Sequence, residues 1–353
     1  MENDPVDRRR FVQGVVSATV AGSVVAMNDR AVANDESSDR AAFRDHLLKS
    51  LGGAWPEGCP LEPKVTEVVS KDGYRIEHLS FLAESDDRVP ALLLVPEGVD
   101  AKSPAPGICI WHQHGGEYHL GKSEPAGLAG NPMHFTGVAL AKLGYVVLCI
   151  DALGFEDRRN PELADDGTLD NGGYERYLFL RYLVQGKTLA WKNILDMRRA
   201  VDYLQTREEV VADQLGCYGH SMGSTHTWLV GGWEPRLKAL VGNCCLPTYR
   251  GIHREQILHC FPNFIPNIYP DTDTPDVAAL AAPRALHLNF GEHDSGSPID
   301  EARRGAEQIS KVYEKLGAGD NFSFYVEEGV GHVLSETMWQ KTRDFFGRHL
   351  PIS

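Results

Sequence analysis

Leu215-Gly216-Cys217-Tyr218-Gly219-His220-Ser221-Met222-Gly223-Ser224-Thr225 joins an apolar run with strand character to a run with helix character, Met222–Val230. The G-x-S-x-G at the junction has chemical meaning only in this context. Between a strand and a helix the serine takes a strained turn that projects its Oγ above the sheet. The glycines let strand and helix backbones approach without a clash. Ser221 is therefore the candidate nucleophile.

A serine hydroxyl is a weak nucleophile at neutral pH because it must lose a proton as it attacks. It needs an imidazole base, and the base needs a carboxylate to fix its tautomer. For a serine on a strand–helix turn the partners are expected in the order acid, then histidine, further along the chain. Asp294 stands in Gly291-Glu292-His293-Asp294, just after the strand candidate Ala285–Asn289. His332 ends Gly329-Val330-Gly331-His332, between the last strand and the last helix. Glu292 and Asp300 compete with Asp294, but the first is nearer the strand and the second begins the next helix. His287, His293 and His349 are expected to be structural. Donors for a developing oxyanion are expected from the backbone N–H of Met222, at the positive end of its helix, and from the loop His112-Gln113-His114-Gly115-Gly116-Glu117. There the His114 N–H is the first choice and Gly115 the next. The i, i+2, i+7 spacing of His112, His114 and His119 is not that of a helical zinc site. No metal or other cofactor is expected.

Outward from this core the chain alternates strands and helices. Thr66–Ser70, Tyr74–Phe81 and Pro90–Val95 are separated by turn-forming residues and read as an antiparallel meander. Gly107–Trp111, Tyr145–Ile150, Leu215–Tyr218, Leu237–Gly242, Ala285–Asn289 and Phe322–Val326 are compact strand candidates, the apolar ones continuous enough to be covered on both faces. Helical runs lie between them at Met133–Leu143, Leu189–Leu204, Met222–Val230 and Ile299–Leu316, and Leu334–His349 closes the chain. Such alternation predicts an α/β fold with a mainly parallel sheet and helices on both faces. Two long connections, Gly154–Gly186 and Leu246–Pro283, follow strands and are expected either to shape a ligand site or to decorate the surface.

With these segments in place, the chain resembles bacterial α/β-hydrolases of the acetyl xylan esterase and dienelactone hydrolase-like group, over roughly Val65–His349. The resemblance rests on Gly219–Gly223, Trp111–Gly116, Gly186-Lys187-Thr188 with Asp196 and Arg199–Leu204, His259-Cys260, Asp276, Ala282-Pro283-Arg284, Gly291–Asp294 and Gly331-His332. It implies an eight-stranded sheet and a triad of Ser221, Asp294 and His332. Trp111-His112-Gln113-His114 departs from the group's more usual apolar-His-Gly-His. Ser221 replaces the cysteine of true dienelactone hydrolases, which favours ester over enol-lactone chemistry. Asp196 and Arg199 look like signature residues of the group, and being one helical turn apart they are expected to be structural.

The expected reaction is two-step acyl transfer on a small-molecule or carbohydrate ester, with His332 as the base. A serine peptidase of the prolyl-oligopeptidase type is the alternative enzyme, although only about 75 residues precede the sheet. A non-catalytic binding protein of the same fold is the alternative outside enzymes. Tyr118, His119, Trp191 and Phe261–Tyr269 are candidates to line the acyl or leaving-group side, and equally candidates for core or lid packing.

The chain has 353 residues and a net charge of −14, which opposes binding to nucleic acid or to an anionic membrane. Asp7-Arg8-Arg9-Arg10-Phe11-Val12-Gln13, the apolar Gly14–Met27 and Ala31-Val32-Ala33 resemble a twin-arginine export signal cleaved after Ala33. Asp7 and Val12 replace the usual Ser or Thr and Leu. The organisation expected is a signal peptide at 1–33, an extension at 34–64 and a catalytic domain at 65–353. The twin-arginine machinery would be a partner, and the product would be periplasmic or extracellular, with no stable membrane association after cleavage. The signal carries four acidic and four arginine residues, so its removal leaves −14. Of seven cysteines, Cys109, Cys149 and Cys217 read as buried, while Cys59, Cys244, Cys245 and Cys260 leave a disulfide open.

Overall fold

The computed structural model describes residues 39–159, 170–244 and 246–352. The proposed export signal lies outside the described residues, as does Cys245. The described residues divide into two units, one ending at Leu47 and one beginning at Leu48. The described part of the first is the start of a helix over 39–51 (α1). The second carries the sheet.

Nine strands form that sheet: β1 (Lys64–Lys71), β2 (Tyr74–Glu84), β3 (Asp87–Pro96), β4 (Ala105–Trp111), β5 (Val146–Ile150), β6 (Val210–His220), β7 (Leu237–Asn243), β8 (Ala285–Gly291) and β9 (Phe322–Glu327). Their order is β1-β2-β3-β5-β4-β6-β7-β8-β9. The eight strands implied by resemblance are thus corrected to nine, the number the residue pattern itself offers. The strand most easily set aside is β1, which is exposed almost throughout and is carried by backbone pairing to β2 rather than by burial. Its lysines and glutamate suit an open edge. The expected meander is present, with β1, β2 and β3 antiparallel, and β3 also runs antiparallel to β5. From β5 through β4 to β9 every neighbouring pair is parallel.

Strands β4, β5 and β8 are buried along their whole length, which explains the continuous apolar sequence of β4 and β5, while in β8 the buried His287 and Asn289 bond each other. Helices fill the crossovers: α2 (Thr136–Lys142), α3 (Asn171–Val184), α4 (Leu189–Gln205), α5 (Met222–Gly231), α6 (Tyr249–Glu255), α7 (Thr274–Ala279), α8 (Ile299–Lys315) and α9 (Glu336–His349). The hydroxyls of Thr188 and Ser335 cap α4 and α9 by accepting from Trp191 N and Met338 N. Such caps are each worth about 1 kcal/mol. Helices α3, α6 and α7 lie in the two long connections, where the sequence offers weak periodicity.

Parallel strands end on one edge, and the register shows it. Trp111 of β4 lies beside Gly219 of β6, His220 beside Asn243 of β7, Asn243 beside Asn289 of β8, and Gly291 beside Glu327 of β9. Ser221, Asp294 and His332 all follow strand ends on this edge.

Trp191 is not a site residue. It is buried, donates from Nε1 to Gly53 O and stacks on Trp55. Asp196 and Arg199 do not pair with each other. Asp196 takes Arg158 at 2.6 Å and Lys192 at 2.8 Å, while Arg199 donates to the Leu82 and Cys59 carbonyls and to Asp202. Both bind segments together, as structural residues do. Among the described residues the six cysteines carry no disulfide.

Candidate active site

Ser221 sits between β6 and α5 at φ 57°, ψ −119°, outside the ordinary regions for an L-residue. The turn is sustained from both sides: Ser221 N donates to Asn243 O at 2.9 Å, and the flanking glycines are obligatory. A Cβ on Gly219 would lie 2.0 Å from Gly223 O, and one on Gly223 would lie 1.9 Å from Trp111 O. Any side chain there would force the turn open. The same contacts press the start of α5 against the Trp111–His114 loop, so both expected oxyanion donors belong to segments in direct backbone contact. Met222 is the first residue of α5, and the N–H groups of a first turn lack intrahelical acceptors.

The second pair forms by a similar close approach. A Cβ on Gly291 would lie 2.1 Å from Gly331 O, and His293 N donates to Val330 O at 2.7 Å. These contacts lock the Asp294 loop to the His332 loop. His332 Nδ1 then lies 2.9 Å from Asp294 Oδ2, while Asp294 Oδ1 accepts from Gly296 N at 2.9 Å. The carboxylate is buried and the imidazole edge is open to solvent. The His332 ring packs 5.2 Å from that of His220, the residue immediately before Ser221. The structure thus brings the sequence-predicted acid and base together beside the elbow.

The competitors are engaged elsewhere. Glu292 accepts from Gly329 N, Asp300 pairs with Arg254, and His287 bonds Ser323 and Asn289.

His114 lies in the expected loop, and its ring is held at both ends. Nδ1 accepts from Gly116 N at 3.0 Å, which makes Nε2 the protonated nitrogen that donates to Glu175 at 2.8 Å. Tyr118 donates to the same Glu175 oxygen and stacks on Phe155. Tyr118 therefore stands beside the His112–Glu117 loop, whereas His119 is exposed near Glu117. His112 is spent on scaffolding: Nε2 accepts from Ala152 N and Nδ1 donates to Gln113 O. Phe261 stacks on Phe179 of α3, and Asn263 accepts from Thr225 of α5, so the second connection is anchored to the elbow helix. Glu175 and Asn243 have no local motif. Glu175 sits in a connection with weak helical periodicity, and Asn243 reaches His220 only because β6 and β7 are adjacent.

Several imidazoles around this site are held neutral. Burial pushes His112 and His259 down to about 4 and His226 to about 3, and His220 well below its usual range. His287, in β8, is likewise down to about 4 by burial. An unfolded histidine titrates near ~6.5, so between that pH and about 4 the unfolded chain binds protons that the folded chain refuses. Stability from these five groups is complete above pH ~6.5 and is lost as pH falls toward 4. Melting at pH 5 should therefore occur below melting at pH 7, with net proton uptake on unfolding by calorimetry in two buffers. Equal melting at both values, without proton uptake, would contradict the neutral buried set.

The chain has relatives among known proteins. The chain belongs to the Abhydrolase family, whose profile matches residues 53–332. It is 29% identical over 299 residues to "Putative hydrolase YtaP" of Bacillus subtilis (strain 168), covering 83% of this chain and 94% of that protein. A glucuronoyl esterase from Solibacter usitatus superposes with a TM-score of 0.63 at 18% identity, covering 86% of this chain and 90% of its own. An acetyl xylan esterase from Paenibacillus sp. R4 gives 0.57 at 17% identity, covering 88% and 95%. At such identities these two structures establish the α/β-hydrolase fold. No helix among the described residues is long and apolar enough to cross a membrane.

Proposed function

We propose that this chain is a serine carboxylic-ester hydrolase acting through an acyl-enzyme. The observation that carries the reading is the His332 Nδ1–Asp294 contact of 2.9 Å beside a serine held at φ 57°. Asp294 accepts a hydrogen bond from Nδ1–H, which keeps the proton on that nitrogen and leaves Nε2 as the free base. Nε2 takes the Ser221 proton as Oγ attacks the ester carbonyl. The tetrahedral oxyanion is held by the N–H groups of Met222 and His114, each such donor being worth about 2.7–4 kcal/mol. His332 then gives its proton to the leaving alcohol, and water repeats the sequence to free the acid. These steps need only groups that the chain supplies.

An acetylated or otherwise esterified carbohydrate is the proposed substrate class. Its support is the carbohydrate esterases among the structural neighbours, together with the export-type leader in the sequence. In this reading residues 1–33 direct twin-arginine export and are cleaved, and the enzyme works outside the cytoplasm. Residues 34–64 form an extension, and 65–353 the catalytic domain.

The test is a substrate panel. Acetylated xylo-oligosaccharides are expected to be cleaved with a kcat/KM at least comparable to p-nitrophenyl acetate, and p-nitrophenyl esters of longer acids progressively less well. Cleavage of prolyl peptides in preference to every ester would overturn the assignment in favour of a peptidase.

A further inference from the structure

The thiol of Cys244 lies at the heart of this site without a part in the mechanism. Cys244 follows β7, the strand between the nucleophile strand and the acid strand. Its backbone is in the left-handed region, at φ 55°, and its N–H donates to Asn289 O at 2.8 Å. In that conformation Sγ donates to Val333 O at 3.1 Å, one residue beyond His332. A ligand atom each from Cys244, Asp294 and His332 all lie within 4.8 Å of one another.

We propose that these three side chains form an inhibitory site for a thiophilic divalent cation such as Zn2+. A sulfur, an imidazole nitrogen and a carboxylate oxygen are a zinc donor set, and a solvent molecule would complete a tetrahedron. Bonds of about 2.0–2.3 Å place tetrahedral ligands roughly 3.5 Å apart. Asp294 and His332 start at 2.9 Å, so the pair opens slightly while the thiol, within 4.8 Å of both, moves inward by up to about 1.3 Å. The Gly296 N–H bond to the other Asp294 oxygen steadies the carboxylate. The exposed edge of His332 is the entry route.

Protons balance simply. The ion takes the Nδ1 position of the neutral imidazole, whose single proton moves to Nε2, and it displaces the Cys244 thiol proton, which leaves to solvent. With Nδ1 on the metal, Asp294 no longer orients the base. This consequence for hydrolysis rests on the catalytic reading above; the binding itself does not.

The two parts are separable with Co2+ and Zn2+ as probes on the full chain. Co2+ is expected to produce a thiolate-to-cobalt charge-transfer band that Cys244→Ser abolishes and that Zn2+ displaces. Zn2+ is expected to inhibit p-nitrophenyl acetate hydrolysis, with EDTA reversing it. In Cys244→Ser and Cys244→Ala the half-inhibiting concentration should rise roughly tenfold or more, each variant being compared with its own uninhibited rate. Absence of the cobalt band overturns the site, as does equal zinc sensitivity of wild type and both variants. A band that depends on Cys244 while hydrolysis continues undiminished would keep the site and overturn the catalytic role of His332.

Discussion

Ser221→Ala is expected to lower kcat for p-nitrophenyl acetate by up to about a millionfold and to abolish labelling by a fluorophosphonate probe. The magnitude follows from the unit behaviour of a nucleophile and its base: without Oγ, the remaining groups can only position water. What survives is the part due to oxyanion donors and substrate binding, about 10^3–10^4 over the uncatalysed reaction. The substitution is mild structurally, because the turn is fixed by backbone contacts. Ser221 N still donates to Asn243 O, and the close approaches of Gly219 and Gly223 are untouched. Relief of backbone strain is not expected either, since alanine meets the same cost at φ 57°. The variant should therefore melt close to wild type, which separates loss of chemistry from loss of fold. Undiminished labelling would place the nucleophile elsewhere and remove the elbow from the mechanism.

The elbow was the most legible part of the sequence because its constraint is local. A strand, a tight turn and a helix meet within a dozen residues, and the glycines declare where backbones touch. The pairing of Asp294 with His332 is legible by a second local rule, since each follows a strand, and parallel strands end on one edge. The number of strands was read better from residues than from resemblance, because β1 pairs as an edge strand whatever its burial.

The parts that escaped are those set by contacts between distant segments. Trp191 reads in the sequence as an aromatic available to a ligand, yet it is consumed by Gly53 and Trp55, the former 138 residues earlier in the chain. Glu175 gives no signal in its own neighbourhood, and its part in holding His114 emerges only once α3 lies beside the His112–Glu117 loop. Cys244 read as a possible disulfide partner. Its nearness to Asp294 and His332 depends on the left-handed turn after β7, which no residue pattern announces for a cysteine.

Asp294→Asn is expected to reduce kcat by about 10^4-fold while leaving KM within a few-fold. The wild-type carboxylate accepts from two donors, Gly296 N at Oδ1 and His332 Nδ1 at Oδ2. An asparagine keeps one acceptor oxygen, and the Gly296 N–H claims it. The amide NH2 then faces His332, and two donors cannot share that contact. His332 responds by carrying its proton on Nε2 and presenting a bare Nδ1 to the amide. Nε2 is then no longer a base toward Ser221, and the positive charge that forms during attack has lost its counter-ion. The loss belongs to the transition state and falls on kcat. The fold should hold, since the two loops remain tied through His293 N to Val330 O and through the close approach at Gly291. Measured as kcat and KM for p-nitrophenyl acetate beside a melting curve, the variant should show a large kinetic defect with near-normal melting. A kinetic loss below about tenfold would mean that another carboxylate orients His332. Glu292, nearest in sequence and already engaged with Gly329, would then be the first to replace.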